Sequence, residues 1–413
     1  MKQPRQLHEL GQSLWLDNIT RSLLDDGGVR RYIDDFWITG LTSNPTIFNG
    51  AIGNGEAYDG GIREKARAGK SGETLFIELA LEDLRRAADL FRPVFDATQG
   101  IDGWVSMEIS PLLSADTEGS IAAARKIHAQ ADRPNLFVKI PGTPEGLPAI
   151  EALIVAGIPV NVTLLFSREQ YLAAADAYMR GIERRIAAGL GPHVASVASL
   201  FVSRWDKAVS DELSAELRKE ISTARARAIY AVDRDAGVDP KIAAIIAMSD
   251  SRGDAGGRVA VPADLRNRLG IAVAQRTYRA YRELLASSRW QKLAAAGARP
   301  QRLLWASTGC KDPQASASLY VEALAAPDTI NTMPEKTLHA FAEHSALSGP
   351  MAEDGADAEA VLARFAQVGI DIDALALQLQ EEGARSFVES WNELLQRIAQ
   401  KSAALTGVGK APA

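Results

Sequence analysis

The chain is poor in cysteine, histidine and aromatic residues, and each shortage removes a class of chemistry. A single cysteine, Cys310, rules out an intrachain disulfide framework and any multi-cysteine zinc or iron–sulfur site. Five histidines, at 8, 128, 193, 339 and 344, lie scattered without an HExxH-type pair, so no metal site is expected. No apolar run approaches the ~20 residues that span a bilayer. The start, Met1-Lys2-Gln3-Pro4-Arg5-Gln6, lacks the apolar core of a signal peptide, so a cytoplasmic protein with no membrane partner is expected. Basic charge is not in excess. Lys and Arg number 46 against 52 Asp and Glu, a net charge of −6, which argues against nucleic acid as a general partner.

The remaining composition is that of a globular protein with a large core. Hydrophobic residues make up 46% and charged residues 24%, which argues against disorder. Short apolar runs alternate with long Ala/Glu/Arg-rich stretches of helical period. The runs predict eight strands, at Leu14–Asp17, Trp37–Thr42, Gly103–Glu108, Asn135–Ile140, Ile158–Thr163, Val194–Ser199, Arg302–Ser307 and Thr329–Thr332. Helices are expected at Val29–Phe36, Glu73–Phe91, Thr117–Gln130, Leu147–Val155, Arg168–Ala187 and Pro313–Ala325, with a long helical stretch from Arg204 to Leu285. Strand–helix alternation repeated eight times predicts an α/β fold, a (β/α)8 TIM barrel. An open doubly wound sheet is the alternative. It is weakened because no G-x-G-x-x-G or G-x-x-x-x-G-K-[ST] loop follows any strand.

The whole chain, 1–413, is expected to form one barrel domain with two additions. The first is a helical insertion after strand 6, about 207–266, containing a helical run (Glu212–Ala236) and a Gly/Asp-rich break (Asp250–Gly257). The second is a C-terminal helical extension, about 346–405, with helices at Ala358–Gln367 and Ala374–Ala403 and a frayed tail from Gly407.

Chemistry in a parallel α/β barrel gathers at the C-terminal ends of the strands. There the sequence places Asp17, Asn44, Glu108, Lys139, Asn161, Thr163, Ser199, Arg204, Ser307 and Lys311. Lys139 stands inside the apolar run Leu136-Phe137-Val138-Lys139-Ile140-Pro141, where a charged ammonium is costly to bury. Burial and cationic neighbours favour a neutral amine, which attacks carbonyls and forms a Schiff base. The plainer alternative is a strand-end lysine that reaches solvent or pairs with a carboxylate. Asp17 and Glu108 could be ion-pair partners or helix caps; beside Lys139 they suit the proton transfers of a lysine–carbonyl mechanism. Asn44-Pro45 reads as a turn, or as an amide that holds substrate hydroxyls. Arg204 is either a first-turn surface residue or a phosphate ligand, and Ser307 and Lys311 could add a hydroxyl and a second positive charge. Cys310 has no histidine nearby and is expected to be a bystander.

Ordered strings along residues 10–345 resemble the transaldolase family. They are Trp15-Leu-Asp17, Leu41-Thr-Ser-Asn44-Pro-Thr-Ile, Val105-Ser-Met-Glu108-Ile, Phe137-Val-Lys139-Ile-Pro-Gly-Thr, Asn161-Val-Thr163-Leu-Leu-Phe-Ser, Ser199-Leu-Phe-Val-Ser-Arg204, Leu304-Trp-Ala-Ser307-Thr-Gly and Pro327-Asp-Thr-Ile-Asn-Thr-Met-Pro334. The resemblance implies transfer of a dihydroxyacetone unit between sugar phosphates in the non-oxidative pentose phosphate pathway. The donor would be sedoheptulose 7-phosphate or fructose 6-phosphate, and the acceptor glyceraldehyde 3-phosphate or erythrose 4-phosphate. No metal or organic cofactor is implied, and a monomer or homodimer is expected. Lys139 matches the Schiff-base lysine and Asp17 the acid/base for the donor C4 hydroxyl. Glu108 matches the carboxylate that works through a water, and Thr163 the hydroxyl that holds it. Asn44, Asn161 and Ser199 match ligands of the dihydroxyacetone hydroxyls; Arg204 and Ser307 match phosphate ligands. Shorter members carry a second arginine where this chain has Gly309, and Lys311 is the expected substitute. The alternatives are a Schiff-base aldolase that releases free dihydroxyacetone and a non-catalytic sugar-phosphate-binding scaffold.

Overall fold

The computed structural model describes residues 2–210, 262–344, 347 and 349–407. Eight parallel strands close in chain order: β1 (Ser13–Asp17), β2 (Ile38–Thr42), β3 (Trp104–Glu108), β4 (Leu136–Pro141), β5 (Val160–Leu165), β6 (Ser196–Phe201), β7 (Arg302–Ala306) and β8 (Ile330–Met333). β1 pairs with both β2 and β8, so the expected (β/α)8 barrel has no free edge.

The two-residue period of a strand explains how the barrel is filled. Trp15 on β1 and Trp104 on β3 each meet Phe137 on β4, at ring distances of 6.2 and 4.1 Å, so these rings share the barrel interior. Val197, Leu304 and Ile330 belong to the same buried cluster. Two positions further along the strands stand Asp17 above Trp15, Lys139 above Phe137, Ser199 above Val197 and Thr332 above Ile330. An aromatic and aliphatic floor therefore lies directly beneath the polar rim. At the opposite end of the barrel, buried Asp102 accepts hydrogen bonds from Ser13 Oγ, Trp15 Nε1 (2.8 Å) and Thr39 Oγ1 (2.9 Å), which fixes the Trp15 ring.

Helices cover the outside of the barrel. Arg168–Ala187 begins with a capping box between Ser167 and Gln170. Asn44, where the sequence suggested a turn, caps the helix Pro45–Gly53, with Pro45 at its first position. Helices at Lys2–Glu9, Asp59–Arg67, Ser288–Ala295 and Glu335–His344 were not anticipated. The expected helix Pro313–Ala325 contracts to Leu319–Ala323. Ahead of it the Ser316 and Ser318 hydroxyls bond each other, and Ser318 bonds Glu322, a local pairing that competes with helix formation. Ser307 leaves β7 in the left-handed region (φ 56°). β5 runs on to Leu165 through a register irregularity that puts Leu164 at φ 59°.

Of the long stretch 204–285, the structure describes Ser203–Ala208, a 3-10 turn at Ala263–Leu265 and the helix Leu269–Ala286. The helical run Glu212–Ala236 and the break Asp250–Gly257 lie outside the described residues, as does the tail beyond Gly407. The C-terminal helices are Ala358–Gln367 and Ile372–Thr406. The second of these crosses the barrel mouth. It is held by Thr46–Ser390 (2.9 Å), Arg397–Asn49 (2.7 Å) and Lys401–Asp59 (2.6 Å), and by the Phe76–Trp391 ring contact at 5.2 Å. Among the described residues no helix is long and apolar enough to cross a membrane.

Candidate active site

A cavity of about 790 Å³ opens at the C-terminal ends of the strands. Eight of the ten residues singled out from the sequence line it: Asp17, Asn44, Lys139, Thr163, Ser199, Arg204, Ser307 and Lys311. The remaining two, Glu108 and Asn161, lie behind this wall.

Lys139 is 7% exposed, and its Nζ donates to the backbone carbonyl of Ser43 at 2.7 Å. Ser43 is itself pinned, because its hydroxyl donates to the Ser106 carbonyl at 2.8 Å. Glu108 is the register partner of Lys139 on the neighbouring strand. Its nearest oxygen is 3.5 Å from Nζ, and neither of its carboxylate oxygens has a hydrogen-bond partner among the described residues. Burial drives the Glu108 carboxyl above its ordinary range; the opposing pull of Lys139 is outweighed. A small second cavity of about 20 Å³ lies between Glu108, Lys139, Thr163 and the C-terminal helix. That is room for one water, since a site needs roughly 10–15 Å³ to hold one.

Asp17 is half-buried, and its Oδ1 accepts from Thr42 Oγ1 at 2.7 Å. Thr42 Oγ1 is in turn 2.7 Å from Thr332 Oγ1. With the Thr42 proton directed at Asp17, Thr332 is the donor of that second bond. A hydroxyl relay thus reaches Asp17 from β8 by way of β2. Sequence reasoning passed over both threonines, although Thr42 stands in the string that contains Asn44. Asn44 Oδ1 is occupied as a helix cap, accepting from Ile47 N at 3.0 Å, which leaves its amide nitrogen for a ligand. Asn161 is fully buried; it accepts from Ser199 Oγ at 2.7 Å and donates to Ser106 Oγ at 3.2 Å. Ser199 is therefore the group of this pair that meets the cavity.

Arg204 sits on the short helix Ser203–Ala208 and forms no hydrogen bond or ion pair among the described residues. Its guanidinium carbon lies 5.3 Å from the Phe201 ring and 6.0 Å from the Phe387 ring. Burial lowers its pKa from the ordinary arginine value, while Glu382 and Glu108 act in the opposite direction. A partly desolvated guanidinium without a carboxylate is a ready anion site. Ser307 Oγ lies 2.9 Å from Ser203 Oγ near the same end of the cavity. Lys311 is exposed, and its Nζ is 3.9 Å from where a side chain on Gly309 would begin. Cys310 is half-buried, and burial raises its thiol, which disfavours the reactive thiolate.

The C-terminal helix supplies what the sequence did not reveal. Ser386 and Phe387 line the main cavity, and Ala384 and Phe387 line the small one. Gln380 fastens the helix to the rim, donating to the carbonyls of Gly142 (3.1 Å) and Leu164 (2.8 Å). Nothing in the period or charge of residues 372–406 marks them as lining a site; only the long-range packing does.

A closed parallel (β/α)8 barrel with a buried lysine on its C-terminal rim, and an arginine there that has no ion-pair partner among the described residues, belongs with the barrel enzymes that work at their strand ends. A family model described as Transaldolase/Fructose-6-phosphate aldolase matches residues 14–398, and the chain belongs to that family of enzymes. It is similar to the Transaldolase of Thermobifida fusca (strain YX), 43% identical over 404 residues and covering 97% of this chain and 99% of that one. The Transaldolase of Parafrankia sp. (strain EAN1pec) is 41% identical over 96% of each chain. That of Thiobacillus denitrificans (strain ATCC 25259 / T1) is 40% identical over 95% of this chain and 99% of its own.

Proposed function

We propose that the protein is a transaldolase that moves a dihydroxyacetone unit between sugar phosphates through a Schiff base on Lys139. It would act in the cytoplasm, in the non-oxidative pentose phosphate pathway, without metal or organic cofactor. The donor is sedoheptulose 7-phosphate or fructose 6-phosphate, and the acceptor is glyceraldehyde 3-phosphate or erythrose 4-phosphate. The observation that carries this reading is Lys139, buried in the wall of a cavity that Arg204 also lines.

In this reading the Lys139 amine adds to the donor C2 carbonyl, and Glu108 works through the water beside Thr163 to expel hydroxide as water. The protonated imine is an electron sink. Asp17 takes the proton of the C4 hydroxyl, the C3–C4 bond breaks, and its electron pair moves into the imine system. An aldose phosphate departs, and the three-carbon enamine stays bound to Lys139. A new aldehyde is attacked by the enamine carbon, and Asp17 returns the proton to the nascent alkoxide. Asn44 and the Ser199–Asn161 pair hold the dihydroxyacetone hydroxyls. Arg204, Ser307 and Lys311 take the phosphate, with Lys311 replacing the arginine absent at Gly309. The chain is read as one barrel domain, with 207–266 inserted and 346–405 appended.

Borohydride trapping with fructose 6-phosphate, followed by peptide mass spectrometry, tests the mechanism. A three-carbon adduct on Lys139 is expected; no adduct, or one on another lysine, refutes it. A coupled assay with fructose 6-phosphate and erythrose 4-phosphate tests transfer. Cleavage that runs equally well without an acceptor would make the protein an aldolase instead.

A further inference from the structure

Two cavities meet at Lys139, and they share three lining residues: Lys139, Thr163 and Phe387. Two of these are strand residues of the barrel. The third comes from the helix Ile372–Thr406, over two hundred positions downstream of Lys139. The large cavity, about 790 Å³, has room for a sugar phosphate, and the small one, about 20 Å³, has room for a single water against Glu108 and Thr163. Phe387 is half-buried, and its ring lies beside the Arg204 guanidinium carbon, 6.0 Å from it. The helix that carries the ring is anchored one and two turns earlier. Gln380, two helical turns earlier, is bonded to two rim carbonyls, and at Gly383 the helix approaches so closely that a Cβ would lie 2.9 Å from Leu164 Cδ2.

We propose that Phe387 is a positioning residue that keeps the water of the small cavity separate from the solvent of the large one, and so sets the balance between transfer and hydrolysis. The inference rests on the transaldolase reading. Once the aldose has left, the bound three-carbon unit has two fates. In transfer, its enamine carbon attacks an aldehyde. In hydrolysis, the enamine is first protonated at carbon to the imine. The oxygen of a water then adds to the imine carbon, its protons pass to the nitrogen and to solvent, and the C–N bond breaks, giving free dihydroxyacetone and the Lys139 amine. Hydrolysis needs a water able to approach the imine carbon and be replaced. A ring between the cavities limits that supply to one molecule already held by Glu108 and Thr163.

The test uses the full-length protein with Phe387→Ala and Phe387→Leu. For each, borohydride trapping on Lys139 is measured first. Then the rate of dihydroxyacetone release from fructose 6-phosphate without acceptor is divided by the rate of transfer to an aldose phosphate. The ratio should rise severalfold in Phe387→Ala and less in Phe387→Leu, whose bulk restores part of the wall. A merely structural role would depress both rates together and leave the ratio unmoved. An unchanged ratio in variants that still trap overturns this proposal alone. Absence of any adduct in the unaltered protein overturns the transaldolase reading and this inference with it. Should Phe387→Ala fail to fold, the ratio in Phe387→Leu decides: equality with the unaltered protein refutes the wall.

Discussion

Glu108 and Lys139 are register neighbours on adjacent strands, yet they do not form a close ion pair: the nearest oxygen stops 3.5 Å from Nζ, which bonds the Ser43 carbonyl instead. The two groups are held close enough to affect each other but not to lock each other. Among the described residues nothing hydrogen-bonds the Glu108 oxygens, which leaves them open to a water, and burial pushes its carboxyl above the ordinary range. Glu108→Gln should lower kcat by about 10²–10⁴. The unaltered enzyme should lose activity as rising pH ionises Glu108, and the variant should lack that loss. A pH–rate profile of both proteins checks this.

Lys139→Ala should eliminate both the borohydride adduct and turnover. The fold should survive: the change leaves the Ser43 carbonyl without its donor, a cost of about 1–3 kcal/mol, and takes the opposing charge from Glu108, which can respond by holding a proton. Circular dichroism and urea unfolding measure the second half of this expectation.

Arg204→Ala should raise KM for phosphorylated substrates roughly 10–100-fold, the loss of about 1.5–3 kcal/mol from charged hydrogen bonds. A non-phosphorylated ketose should feel little of this. Lys311→Ala acts on an exposed charge, so its effect should be less than about tenfold. Steady-state kinetics with matched phosphorylated and free sugars separates the two.

Asp206, two residues after Arg204, accepts from Leu269 N (2.9 Å), Gly270 N (3.1 Å) and Tyr320 Oη (2.9 Å), tying the arginine's helix to the start of Leu269–Ala286. Burial raises it from its ordinary 3.8 to about 6, against the pull of those donors. The folded state therefore holds the Asp206 proton more tightly than the unfolded state. The stability this confers is fully present below about pH 4 and lost as pH rises through 6, an amount of about 3 kcal/mol. Asp206→Asn cannot titrate. The difference in unfolding free energy between the unaltered protein and this variant should shrink across that window, as measured by urea melts from pH 4 to 7.

Gly383→Ala sets two effects in opposition. Alanine favours the helix by about 1 kcal/mol. The added methyl, however, would lie 2.9 Å from Leu164 Cδ2 and 3.3 Å from Arg204 Nη1. Tm should change little, while KM for sugar phosphates rises severalfold because Arg204 is displaced. Calorimetry and kinetics on the one variant decide the matter.

The barrel and its rim were legible in the sequence because strands reveal themselves locally. An apolar run that ends in Asp17, Glu108 or Lys139 carries its own period, and eight such runs leave few topologies. Asn44 was legible as a turn or as an amide facing substrate, but its cap on the helix Pro45–Gly53 was missed, although Asn-Pro is itself that helix's start signal. The depth of Glu108 and Asn161 was hidden, because the runs locate strand ends and not the cavity wall. Gly383 and Phe387 were illegible altogether. Residues 372–406 pack across the mouth through contacts hundreds of positions apart, such as Arg397 with Asn49, and no local pattern encodes that.

The position of this crossing helix has a consequence during biosynthesis. The ribosome completes β8 at Met333 before it makes residues 372–406. A nascent chain can therefore close its barrel and bury its aromatic floor while the outer wall beside Lys139 is still missing. Until the crossing helix docks, the lysine faces solvent with Glu108 and Thr163 but without Phe387. The assembled site is thus a late product of translation, and a chain that ends before residue 372 would lack the part of the wall that Phe387 provides.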